Sequence, residues 1–124
     1  VRGYGHCPEE AFAQAALAMI AVITDPRRIE PHETITLECR APDLELLLVD
    51  WLNALIYEIA TRHVLFCAFD VDINGHHLHA TAWGESIDPE RHQPAVEVKG
   101  ATFTELHVEA LDSDHWLAQC VVDV

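Results

Sequence analysis

Residues 41–83, APDLELLLVDWLNALIYEIATRHVLFCAFDVDINGHHLHATAW, change their hydrophobic period partway along, and that change decides the fold. Pro42 and Asp43 make a helix start signal. The residues that follow, to Arg62, are apolar nearly all the way round a helical projection, which predicts a helix buried on most sides. Its interruptions, Asp50, Asn53 and Tyr57, are spaced by three and four and so share one stripe. VLFCAFDVDI and HLHATAW then read as two strands flanking Asn74-Gly75, a dipeptide suited to a type I′ hairpin because both residues tolerate positive φ.

Upstream, Pro8, Glu9 and Glu10 fit the first turn of a helix, where proline is tolerated and acids favour the positive end of the dipole. Phe12, Ala15, Ala16, Met19, Ile20 and Ile23 recur at helical spacing, and Asp25-Pro26 should end that helix. ETITLECR (33–40) alternates with period two, which puts Ile35, Leu37 and Cys39 on one strand face. Downstream, Gly84 to Pro94 reads as a charged loop. AVEVKGATFTELHVEAL (95–111) is strand-like on both sides of Gly100, with a change of parity there that predicts a β-bulge. DSDH (112–115) supplies a turn, and WLAQCVVDV (116–124) a last strand. The expectation is an α+β fold: two main helices packed on a largely antiparallel β-sheet, in a single domain spanning residues 1–124.

The chain carries 21 acidic residues against 7 basic ones, a formal net charge of -14. Lysine and arginine supply non-specific affinity for nucleic acid, so this domain should meet RNA only indirectly, through a partner. Carboxylates suit solubility, a basic partner surface or a hard cation. Cys7, Cys39, Cys67 and Cys120 form no CxxC pair and read as buried free thiols of a cytoplasmic protein rather than a zinc site. No run approaches the ~18 apolar residues of a membrane span, and no signal peptide is recognisable at Val1. Val1 in place of an initiating Met suggests that the N-terminal segment begins upstream.

No adjacent nucleophile and base, P-loop or GxGxxG appears, so an autonomous enzyme is not the expectation and no catalytic residue is assigned. His76, His77 and His79 crowd one hairpin but, as imidazoles alone, make a poor metal motif and read as exposed turn residues. Lys99 is the sole lysine, and Glu97 shares its face, so a cross-strand ion pair is the plain reading. Asp50 fits the wet edge of its helix, and Asp123 a solvated strand end.

Taken together, LLVDWLNALIYEIATRHVLF, ATAWGESIDPERHQPAVEVKGATFTELHV and the closing VVDV resemble the archease family. YGHCPEEAFAQAALAMIAVITD extends the resemblance over essentially the whole chain. It implies a small cytoplasmic, non-catalytic accessory protein that activates an RtcB-type RNA ligase in tRNA splicing and RNA repair. That ligase joins ends bearing a 2′,3′-cyclic phosphate or 3′-phosphate to 5′-hydroxyl ends. It is guanylylated on a histidine using GTP and a divalent metal such as Mn²⁺, and archease promotes that step and multiple turnover. An alternative implied role is a chaperone-like modulator of a tRNA methyltransferase. A stand-alone metal-dependent hydrolase is a third reading, which no base and nucleophile pair recommends.

The resemblance also implies an acidic site for a divalent metal (Ca²⁺, Mg²⁺ or Mn²⁺), to which Asp123 corresponds, with the main-chain oxygen of Val124 able to complete it. Asp50 and Lys99 match recognisable motif positions and are expected to serve activation or partner contact. Two departures qualify this. The family's HTAD-like motif, which carries another ligand, is expected ahead of Val1. Thr104 stands where the family commonly has a histidine.

Overall fold

The computed structural model describes all residues from Val1 to Val124. Its strands are β1 (Arg2–Gly5), β2 (Glu33–Arg40), β3 (Val64–Asn74), β4 (His77–Ser86), β5 (Gly100–Ala101), β6 (His107–Asp112), β7 (His115–Gln119) and β8 (Val122–Asp123). The helices are α1 (Pro8–Ile23), α2 (Leu44–Arg62) and a single turn, α3 (Pro89–His92). All pairing is antiparallel, in three ladders ordered β1-β7-β6, β2-β4-β3 and β5-β8. The fold is thus α+β with two long helices on antiparallel sheet, and the sheet is divided.

The helix limits follow from local chemistry. The Asp43 side chain accepts the Leu46 amide at 2.8 Å and caps α2, satisfying a donor that has no partner within the helix. His63, in the left-handed region at φ 55°, ends it. Pro8 opens α1, and the Glu10 carboxylate accepts the His6 amide at 2.7 Å. Phe12, Ala15, Ala16, Met19 and Ile20 on α1 and Leu47, Leu48, Trp51, Leu52 and Leu55 on α2 are fully buried in one apolar core. Each large side chain removed from water there contributes about 1.5–3 kcal/mol before entropy is counted. Trp51 brings a polar atom inside and satisfies it by donating from Nε1 to the Phe12 carbonyl at 3.1 Å, which ties α2 to α1.

Several sequence expectations are corrected. The hairpin loop is Gly75-His76, not Asn74-Gly75, and only Gly75 has positive φ (62°). A positive φ at the first central residue alone is the type II′ pattern. The shift sets Ile73 opposite Leu78 on the core face, where the type I′ loop would have set His76 there. No bulge occurs at Gly100; the register shifts lie between Phe66 and Ala68 and between Ala110 and Asp112. Residues 95–99 form no ladder of their own, because Val98 alone is driven inward while Ala95, Val96, Glu97 and Lys99 stay exposed.

The last strand is two strands. Val121 turns away from β7: its amide donates to the Thr104 carbonyl at 3.1 Å and its carbonyl accepts from the Thr102 amide at 3.0 Å. The chain thereby leaves the β1-β7-β6 ladder and joins β5. β1 was not expected either. It lies so close on α1 that a Cβ at Gly3 would stand 2.2 Å from the Ala11 carbonyl oxygen. No helix is long and apolar enough to cross a membrane.

Candidate functional site

Three of the residues singled out in the sequence, Asn53, Lys99 and Asp123, meet where β8 pairs with β5. Gly100 is opposite Asp123, and the Lys99 amide donates to the Asp123 carbonyl at 2.7 Å. From α2, the Asn53 side-chain oxygen accepts the Ala101 amide at 2.9 Å, so the polar stripe predicted on that helix anchors β5. Asp50 stands on the same exposed stripe one turn earlier, and Tyr57 one turn later. The structure therefore joins Lys99 to Asp123 through the backbone, and the Asn53 side chain to the same strand at Ala101. It forms no side-chain bond between Asp50, Lys99 and Asp123.

The charges at this corner are free. Lys99 pairs with no carboxylate, so the expected Glu97–Lys99 ion pair does not form; residues 95–99 are not ladder strand and nothing registers the two side chains. Asp50 and Asp123 also make no ion pair, and Val124 is 60% exposed. The Asp50 charge is felt at Cys39, whose thiol is pushed up to about 11, first by burial and then by Asp50 and Glu38. Cys39 and Cys120 are buried thiols, Cys7 and Cys67 are half-buried, and none is oxidised.

Asp123 and Val124 offer oxygen donors of the kind a hard cation takes. Their number is short of the six to eight that Ca²⁺ requires, and Asp123 is not part of a cluster of three ligand side chains.

A second, buried network, centred on GESIDPERH, was not singled out in the sequence. The 7%-exposed Glu85 side chain receives Arg91 on both oxygens at 2.5 and 2.7 Å and the Glu30 amide at 2.6 Å. Fully buried His92 accepts the Asp88 amide on Nδ1 at 2.8 Å, which leaves Nε2–H to donate to Glu85 at 3.1 Å. The two-pronged Arg91 contact, with the Glu30 amide and His92 both on Oε2, holds Glu85 far below the usual carboxylate range, the Arg91 hydrogen bonds being the largest cause. The Thr24 hydroxyl donates to the His92 carbonyl and the Ala95 amide to Ile23 at 2.8 Å, so the network fixes the start of the segment that leads to Lys99.

One further grouping corrects a sequence reading. His76 is an exposed loop residue, as expected, but His77 and His79 do have a carboxylate beside them, that of Glu38 on β2.

The profile of the Archease protein family matches residues 1–124. Protein archease of Pyrococcus abyssi is 38% identical over 128 residues, covering 100% of this chain and 90% of that protein. Protein archease of Methanosarcina mazei is 37% identical over 126 residues, covering 98% of this chain and 86% of that one. The solution structure of Methanobacterium thermoautotrophicum protein 1598 is similar with a TM-score of 0.83 at 38% identity, covering 98% of this chain and 87% of that chain.

Proposed function

This chain belongs to the archease family along its whole length, and from that premise we propose that it activates an RtcB-type RNA ligase by presenting charged side chains to the ligase's guanylylation site. The observation that carries the reading is the β5-β8 corner. There Lys99 and Asp123 are fixed through their main chains by a 2.7 Å hydrogen bond, yet both side chains stay exposed and unpaired. Charges held in place but not neutralised internally are available to a partner, and a charge-assisted contact contributes about 1.5–3 kcal/mol.

The domain is non-catalytic in this reading. Its net charge of -14 favours a basic protein surface over RNA as the direct contact, so RNA is reached through the ligase. GTP and Mn²⁺ are the ligase's cofactors. A divalent cation at Asp123 and Val124 would need further oxygens from outside these two residues, and the reading uses the Asp123 carboxylate without routing a step through a bound ion. Asp50, exposed on the α2 stripe beside Asn53, extends the same contact face.

The test is single-turnover guanylylation of the cognate ligase with GTP and Mn²⁺, with and without this protein. Acceleration by the parent chain that Asp123→Ala and Lys99→Ala weaken supports the reading. Acceleration that both folded variants retain in full removes the corner from it, and no acceleration by the parent overturns activation itself.

A further inference from the structure

On the solvent face of the β2-β4-β3 sheet, Glu38, His77 and His79 are the one group of three histidine, cysteine or carboxylate side chains whose donor atoms all lie within 4.8 Å of one another. We propose that these three residues form a site for a divalent transition ion of the Zn²⁺ class, separate from the β5-β8 corner.

The placement follows from the ladder. His77 and His79 are two apart on the central strand β4 and so project from the same face. Leu78 and Ala80 point into the core and hold that face outward. Glu38 lies directly opposite His79 in the β2 register, and its carboxylate reaches diagonally to hydrogen-bond His77 Nε2. The two imidazole rings lie with centroids 4.2 Å apart and planes inclined by 50°.

Two imidazoles with one carboxylate is a donor set that zinc shares with other borderline ions, and it disfavours Ca²⁺ and Mg²⁺, which take oxygen. Tetrahedral ligands about 2.0–2.2 Å from zinc stand roughly 3.4 Å apart. The three donor atoms lie within 4.8 Å of one another, so an ion would draw them in by about 1 Å, on side chains that the β2-β4 ladder already sets on one face. Three protein ligands leave a fourth position open, and the exposure of Glu38 and His79 gives an ion and a water free access.

The surroundings add negative charge. Asp72 is opposite His79 on the β3 side, and Asp70 and Asp72 line the same shallow hollow as His79. Arg40, opposite His77 on β2, is the cation of this patch, outnumbered by Glu38, Asp70 and Asp72. His76, in the loop, is not part of the group. The site links β2 to β4 across 39 residues of sequence, so an occupied site cross-links the sheet as well as presenting an open metal position.

Titration of the intact chain with Zn²⁺ by calorimetry, and with Co²⁺ by its visible d–d absorption, tests the assignment. The expected result is one ion per chain at this site and a Zn²⁺-dependent rise in Tm. His79→Ala and Glu38→Gln, both at exposed positions and checked for folding by circular dichroism, should each weaken binding at least about tenfold, as loss of even an outer partner of a metal ligand does. Asp123→Ala should bind as the parent does. Absence of Zn²⁺ binding by the parent, binding unchanged in both folded variants, or binding lost in Asp123→Ala would each overturn the site.

Discussion

The Lys99 amide donates to the Asp123 carbonyl at 2.7 Å, while neither residue's side chain pairs with any other. The main chain thus does the structural work of this contact and the side chains are left over. The proposed role of these two side chains can therefore be tested without disturbing the main-chain contact.

Lys99→Ala and Asp123→Ala should therefore change unfolding free energy by no more than about 0.5 kcal/mol, the range of exposed substitutions that break no special feature. In single-turnover guanylylation of the ligase, each should reduce activation about tenfold or more if its charge contacts the partner, since 1.36 kcal/mol is tenfold in rate. Urea melts beside the rate measurement separate the two effects. A large loss of stability in either variant would contradict the main-chain account.

Asn53 is a different case, because its side chain is structural. Asn53→Ala removes the acceptor of the Ala101 amide and should cost about 0.5–1.5 kcal/mol, the net worth of a typical hydrogen bond. The loss should be local. Amide exchange at Ala101, and at Lys99 where β8 is engaged, should accelerate in the variant while α1 amides keep their protection. Uniform acceleration would mean that β5 is held by something other than Asn53.

How much of this was legible depends on whether the deciding interaction is local in sequence. The limits of α1, β2 and α2 followed from Pro8, the alternation of ETITLECR and the Asp43 cap, all short-range signals. The hairpin was found but its loop was placed one residue early. Asn-Gly is a local preference, and the core pairing of Ile73 with Leu78 outweighs it. AVEVK looked like a strand because valines alternate there, yet a ladder also needs a neighbour, and pairing begins only at Gly100. The Asn53 stripe was visible as a pattern, whereas its target, Ala101, was not. Glu38 beside His77 could not be read, because which strand lies next to β4 is set by topology.

Glu85 predicts an acid response. Its carboxyl is lowered in the folded chain, chiefly by the Arg91 hydrogen bonds, so its stabilisation is present above the unfolded value of about 4.3 and is lost as pH falls through the folded value. The parent Tm should drop as pH is lowered from about 5 toward 2, the window in which native carboxylates of this kind take up protons. Glu85→Gln cannot ionise, so its Tm should be lower at neutral pH and should fall less steeply in acid. Melts at stepped pH check this, and parallel curves for parent and variant would refute it.

Trp51 tests the core. Fully buried and donating to the Phe12 carbonyl, it also meets Phe69 edge-on with ring centroids 5.7 Å apart. Trp51→Ala should cost about 3–5 kcal/mol through lost transfer energy and the cavity left behind. Trp51→Phe keeps most of the apolar bulk and should cost less. A denaturant series that ranks parent, Phe and Ala in that order supports the packing described, and equal losses would point to the hydrogen bond as the dominant part.

Gly75 and Gly84 separate two reasons for a glycine. At Gly75 an added Cβ would meet nothing within 4 Å, but φ is +62°, so Gly75→Ala should cost only the conformational penalty of about 1–2 kcal/mol. Gly75→Asn should recover part of it, because asparagine tolerates that region better than other residues. At Gly84 φ is ordinary, but a Cβ would stand 1.9 Å from the Leu65 carbonyl oxygen, a backbone atom that cannot swing aside. Gly84→Ala must therefore push β4 away from β3 beside the register shift at Phe66 and Ala68, and should cost at least the 1–3 kcal/mol typical of overpacking. Asparagine at position 84 should be worse than alanine, the reverse of its effect at position 75. Chemical denaturation of the four variants decides it: the same order of alanine and asparagine at both positions would mean that one mechanism operates at both.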